Sequence, residues 1–119
     1  MNNKPVSEDL LRMGTKTIAH AGRYVAQLRA AVEQLVSPAN TLENELLELH
    51  QFGLHGFAWS ASYLEALYAV QHWAEQLQGD DKFTELEQCI YLSGLGGYLS
   101  QLSNGIAMSQ DEVFRPIDL

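Results

Sequence analysis

Phe52-Gly53-Leu54-His55-Gly56-Phe57-Ala58-Trp59-Ser60-Ala61-Ser62-Tyr63-Leu64-Glu65-Ala66-Leu67-Tyr68-Ala69-Val70-Gln71-His72-Trp73 is the stretch that decides the fold. It holds no proline and sits inside a longer helical pattern taken here as residues 41–77. Asn40 and Glu43 have capping-box spacing, and Thr41 is an alternative cap. One seam reads Leu42, Leu46, Leu49, Gly53, Gly56, Ser60, Tyr63, Leu67, Val70, Ala74, Leu77, with small residues in its middle. Leu54, Phe57, Ala61, Leu64 and Tyr68 line one flank, continuing from His50, and Phe52, Trp59, Ala66 and Trp73 line the other. The polar strip is narrow: Glu48, Gln51, His55, Ser62, Glu65, His72 and Gln76. A helix apolar over most of its circumference has to be surrounded.

Two more helical segments are available to surround it. Over residues 7–36, Leu11, Gly14, Ile18, Ala21, Val25, Leu28, Val32 and Leu35 recur at steps of three and four, opposite Arg12, Lys16, Arg23 and Gln27. Ser7 is the expected N-cap, with Glu8 and Asp9 in the first turn, and Ser37-Pro38-Ala39 ends the helix. After the turn at Gln78-Gly79-Asp80-Asp81, a third segment covers residues 82–104. Asp80 or Asp81 can cap it, and Thr84 with Glu87 offers a second capping box. Its apolar line is Leu92, Leu95, Leu99 and Leu102. Its small line is Cys89, Ser93, Gly96, Ser100 and Ser103, expected to meet the small middle of the second helix. Asn104-Gly105 reads as a stop, and Ser109 with Glu112 as the cap of one further short turn before Pro116.

The fold class expected is therefore all-α: an up-down bundle of three long helices plus a short C-terminal helical turn, with no strand. The bundle is placed at residues 1–113, and residues 114–119 read as the start of a linker or tail. At about 1.5 Å per residue the helices would be roughly 45, 55 and 33 Å long, so the second outruns the third unless it bends at Gly53 or Gly56. Two neighbours cover about two sides of the second helix, and its apolar surface exceeds that. Leaving Phe52, Trp59 and Trp73 in water would forgo roughly 2–3 kcal/mol each, a large share of a domain's net stability of about 5–15 kcal/mol. A second copy or another domain is expected to complete the bundle, with Phe52, Trp59, Tyr63 and Trp73 at the contact. The competing expectation is that the C-terminal segment covers the remainder.

Charge narrows the partners. The net charge is −8, which disfavours nucleic acid, since phosphate contacts need Lys and Arg. Residues 1–36 carry five basic and three acidic side chains; residues 37–119 carry two basic and twelve acidic ones. The uncharged run over residues 88–110 is too rich in Ser, Gln and Asn, and too short of basic flanks, for a membrane helix. No secretory pattern opens the chain, and its single cysteine, Cys89, forms no internal disulfide, so a cytoplasmic location is expected.

Catalytic constellations fail one by one. Di-iron bundles need Glu-x-x-His, and none of His20, His50, His55 or His72 has Glu three residues earlier. Gly94, Gly96 and Gly97 lack the second strand and acid of a dinucleotide fingerprint, so they read as close helix packing. Cys89 has no adjacent base and reads as a packed structural thiol. No catalytic, cofactor or metal residue is assigned. One candidate pocket remains, for a small acyl-type ligand: His50, Gly53, Gly56, Tyr91 and Gly96, edged by Tyr63.

Four runs carry a resemblance: His55-Gly56-Phe57-Ala58-Trp59-Ser60-Ala61-Ser62-Tyr63-Leu64-Glu65-Ala66-Leu67, His72-Trp73-Ala74-Glu75-Gln76-Leu77, Gly97-Tyr98-Leu99-Ser100-Gln101-Leu102, and residues 105–119 ending Arg115-Pro116-Ile117-Asp118-Leu119. Together with Phe83-Thr84-Glu85-Leu86-Glu87-Gln88, they resemble the N-terminal helical extension of acyl-CoA dehydrogenase-family enzymes of the (2S)-methylsuccinyl-CoA dehydrogenase type. The match covers roughly residues 50–119; residues 1–40 are similar in character only. The resemblance implies a flavoenzyme core after a motif like Arg115–Leu119, carrying FAD and a glutamate base. None of that machinery maps onto a residue here. The chain is expected to be a non-catalytic accessory or oligomerisation module, as an N-terminal piece or a free-standing relative. Its expected partner is a second copy or the flavoenzyme core.

Overall fold

The computed structural model describes residues 4–109 and 112–119. Four helices follow one another: α1 (Lys4–Val36), α2 (Asn44–Leu49), α3 (Gln51–Gly79) and α4 (Glu85–Asn104). A small antiparallel hairpin, β1 (Ile106–Ser109) with β2 (Glu112–Phe114), and a closing 3-10 turn at Pro116–Asp118 complete the chain. The fold is all-α in character, 60 Å long and 19 Å across its thinnest direction.

α1 forms because its apolar seam keeps one face from end to end. Leu11, Gly14, Ile18, Ala21, Val25, Leu28 and Val32 are all buried, while Arg12, Lys16 and Arg23 face solvent. Its start differs from expectation. Ser7 lies inside the helix, buried, and its hydroxyl donates to the Lys4 carbonyl at 2.9 Å, so it caps nothing.

The second segment is two helices. The chain breaks at His50 (φ −105°, ψ 26°), not at Gly53 or Gly56. Asn40 takes a left-handed turn at φ 58° rather than capping a helix. α1 and α3 run antiparallel: the Gln71 amide donates to the Leu11 carbonyl, and Gly22 lies by Tyr68. α3 and α4 do likewise, with Tyr63 bonded to Gln101 and Tyr91 to Gln71. Both α1 and α4 therefore pack on α3, and they meet each other over much less of their length.

α4 begins at Glu85 with the Thr84–Glu87 capping box, the Thr84 amide donating to the Glu87 carboxylate at 3.1 Å. The Thr84 hydroxyl also bonds that carboxylate, and this contact holds Glu87 below the usual glutamate range. The helix continues unbroken through Gly94, Gly96 and Gly97 and stops at Gly105, φ 138°. Its rotation corrects the expected packing. Gln88, Tyr91, Leu95 and Leu102 are buried, whereas Cys89, Ser93, Gly96, Ser100 and Ser103 face solvent. The small line does not meet α3, and the Cys89 thiol is exposed.

After Gly105 the period changes from helical to alternating. Ile106, Met108 and Phe114 point inward, Ala107 and Val113 outward. The turn expected from Ser109 to Pro116 is thus a hairpin followed by the 3-10 turn; Gln110 and Asp111 lie outside the described residues. Phe114 is 1% exposed and lies flat over Gly56, where any Cβ would collide with the ring. Leu119 reaches to within van der Waals distance of Gly53. Residues 114–119, read from sequence as a linker, lie on the bundle and cover the small middle of α3.

Candidate functional site

Two sets of side chains stand out: a buried polar junction joining all three long helices, and an aromatic flank on α3 that its neighbours leave half open.

The junction is built on Gln71. The two hydrogens of its amide nitrogen are shared among the Leu11 carbonyl (3.1 Å), the Thr15 hydroxyl (3.2 Å) and the Glu75 carboxylate (3.0 Å). Its amide oxygen accepts the Tyr91 hydroxyl at 2.5 Å. Gly14 leaves the room, since a Cβ there would overlap the Tyr91 hydroxyl. Burial, and then the Glu75 charge, push the Tyr91 phenol up to about 12. Gln71, Thr15 and Tyr91 are tied to one another and to the backbone of α1, and Glu75 closes the junction at the solvent edge. The arrangement locks the rotation of α4 and the height of α1 against α3.

The flank carries the four expected contact residues. Phe52, half exposed at 50%, meets Phe114 edge-on with ring centroids 5.9 Å apart. Trp59 and Tyr63, one turn apart, pack edge to face at 6.0 Å, and Tyr63 meets Tyr98 of α4 at 4.9 Å. The Trp59 indole N–H donates to His55 Nε2 at 3.1 Å, and the Tyr63 hydroxyl donates to Gln101 Oε1 at 2.9 Å. The Trp59 and Tyr63 donors are satisfied internally, so these two rings can be covered without orphaning a donor. A cleft of about 290 Å³ opens among His55, Ala58, Trp59, Ser62 and Tyr63. Trp73, half-buried, lines a second of about 410 Å³ with Gln76, Leu77 and Asp80. Trp59 and Tyr63 are thus together, Phe52 lies at the hairpin end, and Trp73 stands at the far end of α3. Tyr98 is the member of this ladder that sequence reasoning missed. Its register against Tyr63 depends on the turn at residues 80–84, which carries no periodic signal.

The expected ligand pocket is not gathered. His50 is the break between α2 and α3, Gly53 and Gly56 lie under Leu119 and Phe114, Tyr91 is in the junction, and Gly96 faces open space. Gly94, Gly96 and Gly97 are interior to α4, where their amides serve the helix, so they do not form a phosphate cradle. Among the described residues no group of three His, Cys, Asp or Glu side chains is placed to hold a metal. No described helix is long and apolar enough to cross a membrane.

No family model matches the chain. Over its full 119 residues it is 31% identical to (2S)-methylsuccinyl-CoA dehydrogenase of Cereibacter sphaeroides, and it spans 22% of that protein's length. The matched part is the N-terminal one. Helical architecture and full-length similarity lead to one conclusion: the chain resembles the N-terminal helical extension of acyl-CoA dehydrogenase-family enzymes of the (2S)-methylsuccinyl-CoA dehydrogenase type.

Proposed function

We propose that the chain is a non-catalytic helical module that serves an acyl-CoA dehydrogenase-type flavoenzyme by association, with FAD and the reacting groups residing in the partner core. The observation that carries this reading is the flank Phe52–Trp59–Tyr63–Trp73. It is an aromatic face, half open to water, in which the Trp59 and Tyr63 polar atoms already have partners, on a chain similar along its whole length to part of a dehydrogenase. Aromatic anchors of this kind concentrate binding energy at interfaces. The module acts on the core's assembly and stability, not on substrate.

Trp59→Ala and Trp73→Ala test this directly. The wild-type chain is expected to co-sediment with its cognate dehydrogenase core, and each substitution to weaken the complex by about 2 kcal/mol or more, a hot-spot loss. Equal assembly by wild type and both variants would contradict the assignment. In the rival reading, a bundle that binds a small acyl-type ligand, acyl-CoA thioesters would raise the melting temperature saturably without any core present.

A further inference from the structure

Three features of the molecule are left over once the α3 flank is assigned. The first is a groove of about 520 Å³ on the side where α1 and α4 fail to close, lined by Thr17, His20, Ala21, Tyr24, Leu99 and Leu102 among others. Met13 and Leu92, 47% and 41% exposed, extend it on the two helices. The second is α2, which buries no residue at all: Leu49, its last residue, is 73% exposed, and Leu42, two residues before it starts, is 61% exposed. The third is charge. Arg12, Arg29 and Arg115 each hold a carboxylate, but Lys16 and Arg23, one turn either side of the lining residue His20, hold none among the described residues. Arg23 instead bonds His20 Nδ1 at 2.5 Å. Asp118, the carboxylate nearest Tyr24, is already held by Arg115 at 2.9 Å. Glu43, Glu45 and Glu48, around α2, are exposed and have no cation partner among the described residues.

An apolar groove with a basic rim calls for an acidic segment with exposed leucines, and the chain carries one. We infer that a second copy of the chain lays the acidic segment at residues 42–49 into the α1–α4 groove and receives the same segment in return. The contact is reciprocal, as a two-fold dimer requires. The leucines take the place of water over the half-buried Leu99 and Tyr24, and Glu43, Glu45 and Glu48 meet Lys16 and Arg23. The segment is bounded by the left-handed Asn40 and the break at His50, so it is a discrete unit in the chain. This deepens the association reading and rests on it for the need of a partner. It gives the second copy its own surface and leaves the aromatic flank of α3 to the catalytic core.

The test is sedimentation of the full chain with two charge reversals at exposed positions. Lys16→Glu with Arg23→Glu reverses the groove; Glu43→Lys, Glu45→Lys and Glu48→Lys reverse the segment. Wild type is expected to dimerise, more weakly at high salt. Each variant alone, folded by circular dichroism, should associate at least about ten-fold more weakly, because each then presents like charges to itself. Mixing the two variants should restore a heterodimer. A wild-type chain monomeric throughout the micromolar range would overturn the inference. So would a dimer indifferent to both reversals, or a mixture that stays monomeric. Trp59→Ala and Trp73→Ala leave this dimer intact while weakening the core complex, which separates failure here from failure of the broader reading.

Discussion

α1 and α3 are similar in length and lie side by side, yet they are specified in different ways. On α1 the residues from Leu11 to Val32 that share the seam are all buried, and the opposite face is charged. Its pattern alone says which way it faces. α3 buries only Gly53, Gly56, Ser60, Leu67, Gln71 and Ala74, mostly small or polar residues, while Phe57, Trp59, Leu64 and Trp73 are half covered and Phe52 and Tyr68 are exposed. An amphipathic helix is oriented by its own sequence. An evenly apolar helix is oriented by whatever lands on it, and its uncovered remainder is the surface proposed for a partner.

The sharpest way to break this contrast is to remove what lands on α3. Phe114→Ala strips the ring from over Gly56 and should cost about 3–5 kcal/mol in urea unfolding, as a buried phenylalanine does. A loss below about 1 kcal/mol would mean that the hairpin is not part of the cover of α3.

Next in size is Tyr91→Phe, which leaves the Gln71 amide oxygen without its donor and should cost about 1–3 kcal/mol. The same residue sets an alkaline limit. Its phenol lies at about 12 in the fold against 10.0 when free, so the folded state holds the proton longer. Its contribution to stability is complete below pH 10 and is lost as pH rises through 10 toward 12. In Tyr91→Phe the part of the alkaline decline that belongs to this residue should vanish. An unchanged pH profile would show that the junction does not hold the phenol neutral.

At the small end, Arg29→Ala removes a pair with Glu33 whose side chains are both more than half exposed. The cost should be about 0.5 kcal/mol or less. A larger loss would mean that the outer face of α1 is not simply solvated, and the contrast with α3 would blur.

Much of the fold was legible because its signals are local. The α1 seam repeats with every turn, and the Thr84–Glu87 box and the Asn104-Gly105 stop each lie within a single turn. The missed features have causes elsewhere in the chain. Nothing at His50 marks a break: it is neither glycine nor proline, and the chain turns there to bring α2 against α1. The small line of α4 faces water because the Tyr91 hydroxyl must reach Gln71, and that bond sets the rotation of the whole helix. The hairpin was hidden by brevity, since Ile106-Ala107-Met108 gives too little alternation to outweigh a helical reading. The aromatic flank of α3 was visible as a seven-residue recurrence. Its junction with Tyr98 and Phe114 was not, because ring pairing across helices depends on long-range register. The five-residue pocket failed for the same reason: Phe114 and Leu119 fill the space that the glycines left.

The chain holds only two tryptophans, both on the flank in question, so their fluorescence reports on it without labelling. Acrylamide quenching of the chain, free and mixed with the proposed dehydrogenase core, is the most direct measurement. Trp59 and Trp73 are expected to be readily quenched in the free chain, and in the complex to become protected with emission shifted to the blue. Equal quenching and an unmoved emission maximum in a complex that demonstrably forms would contradict this expectation.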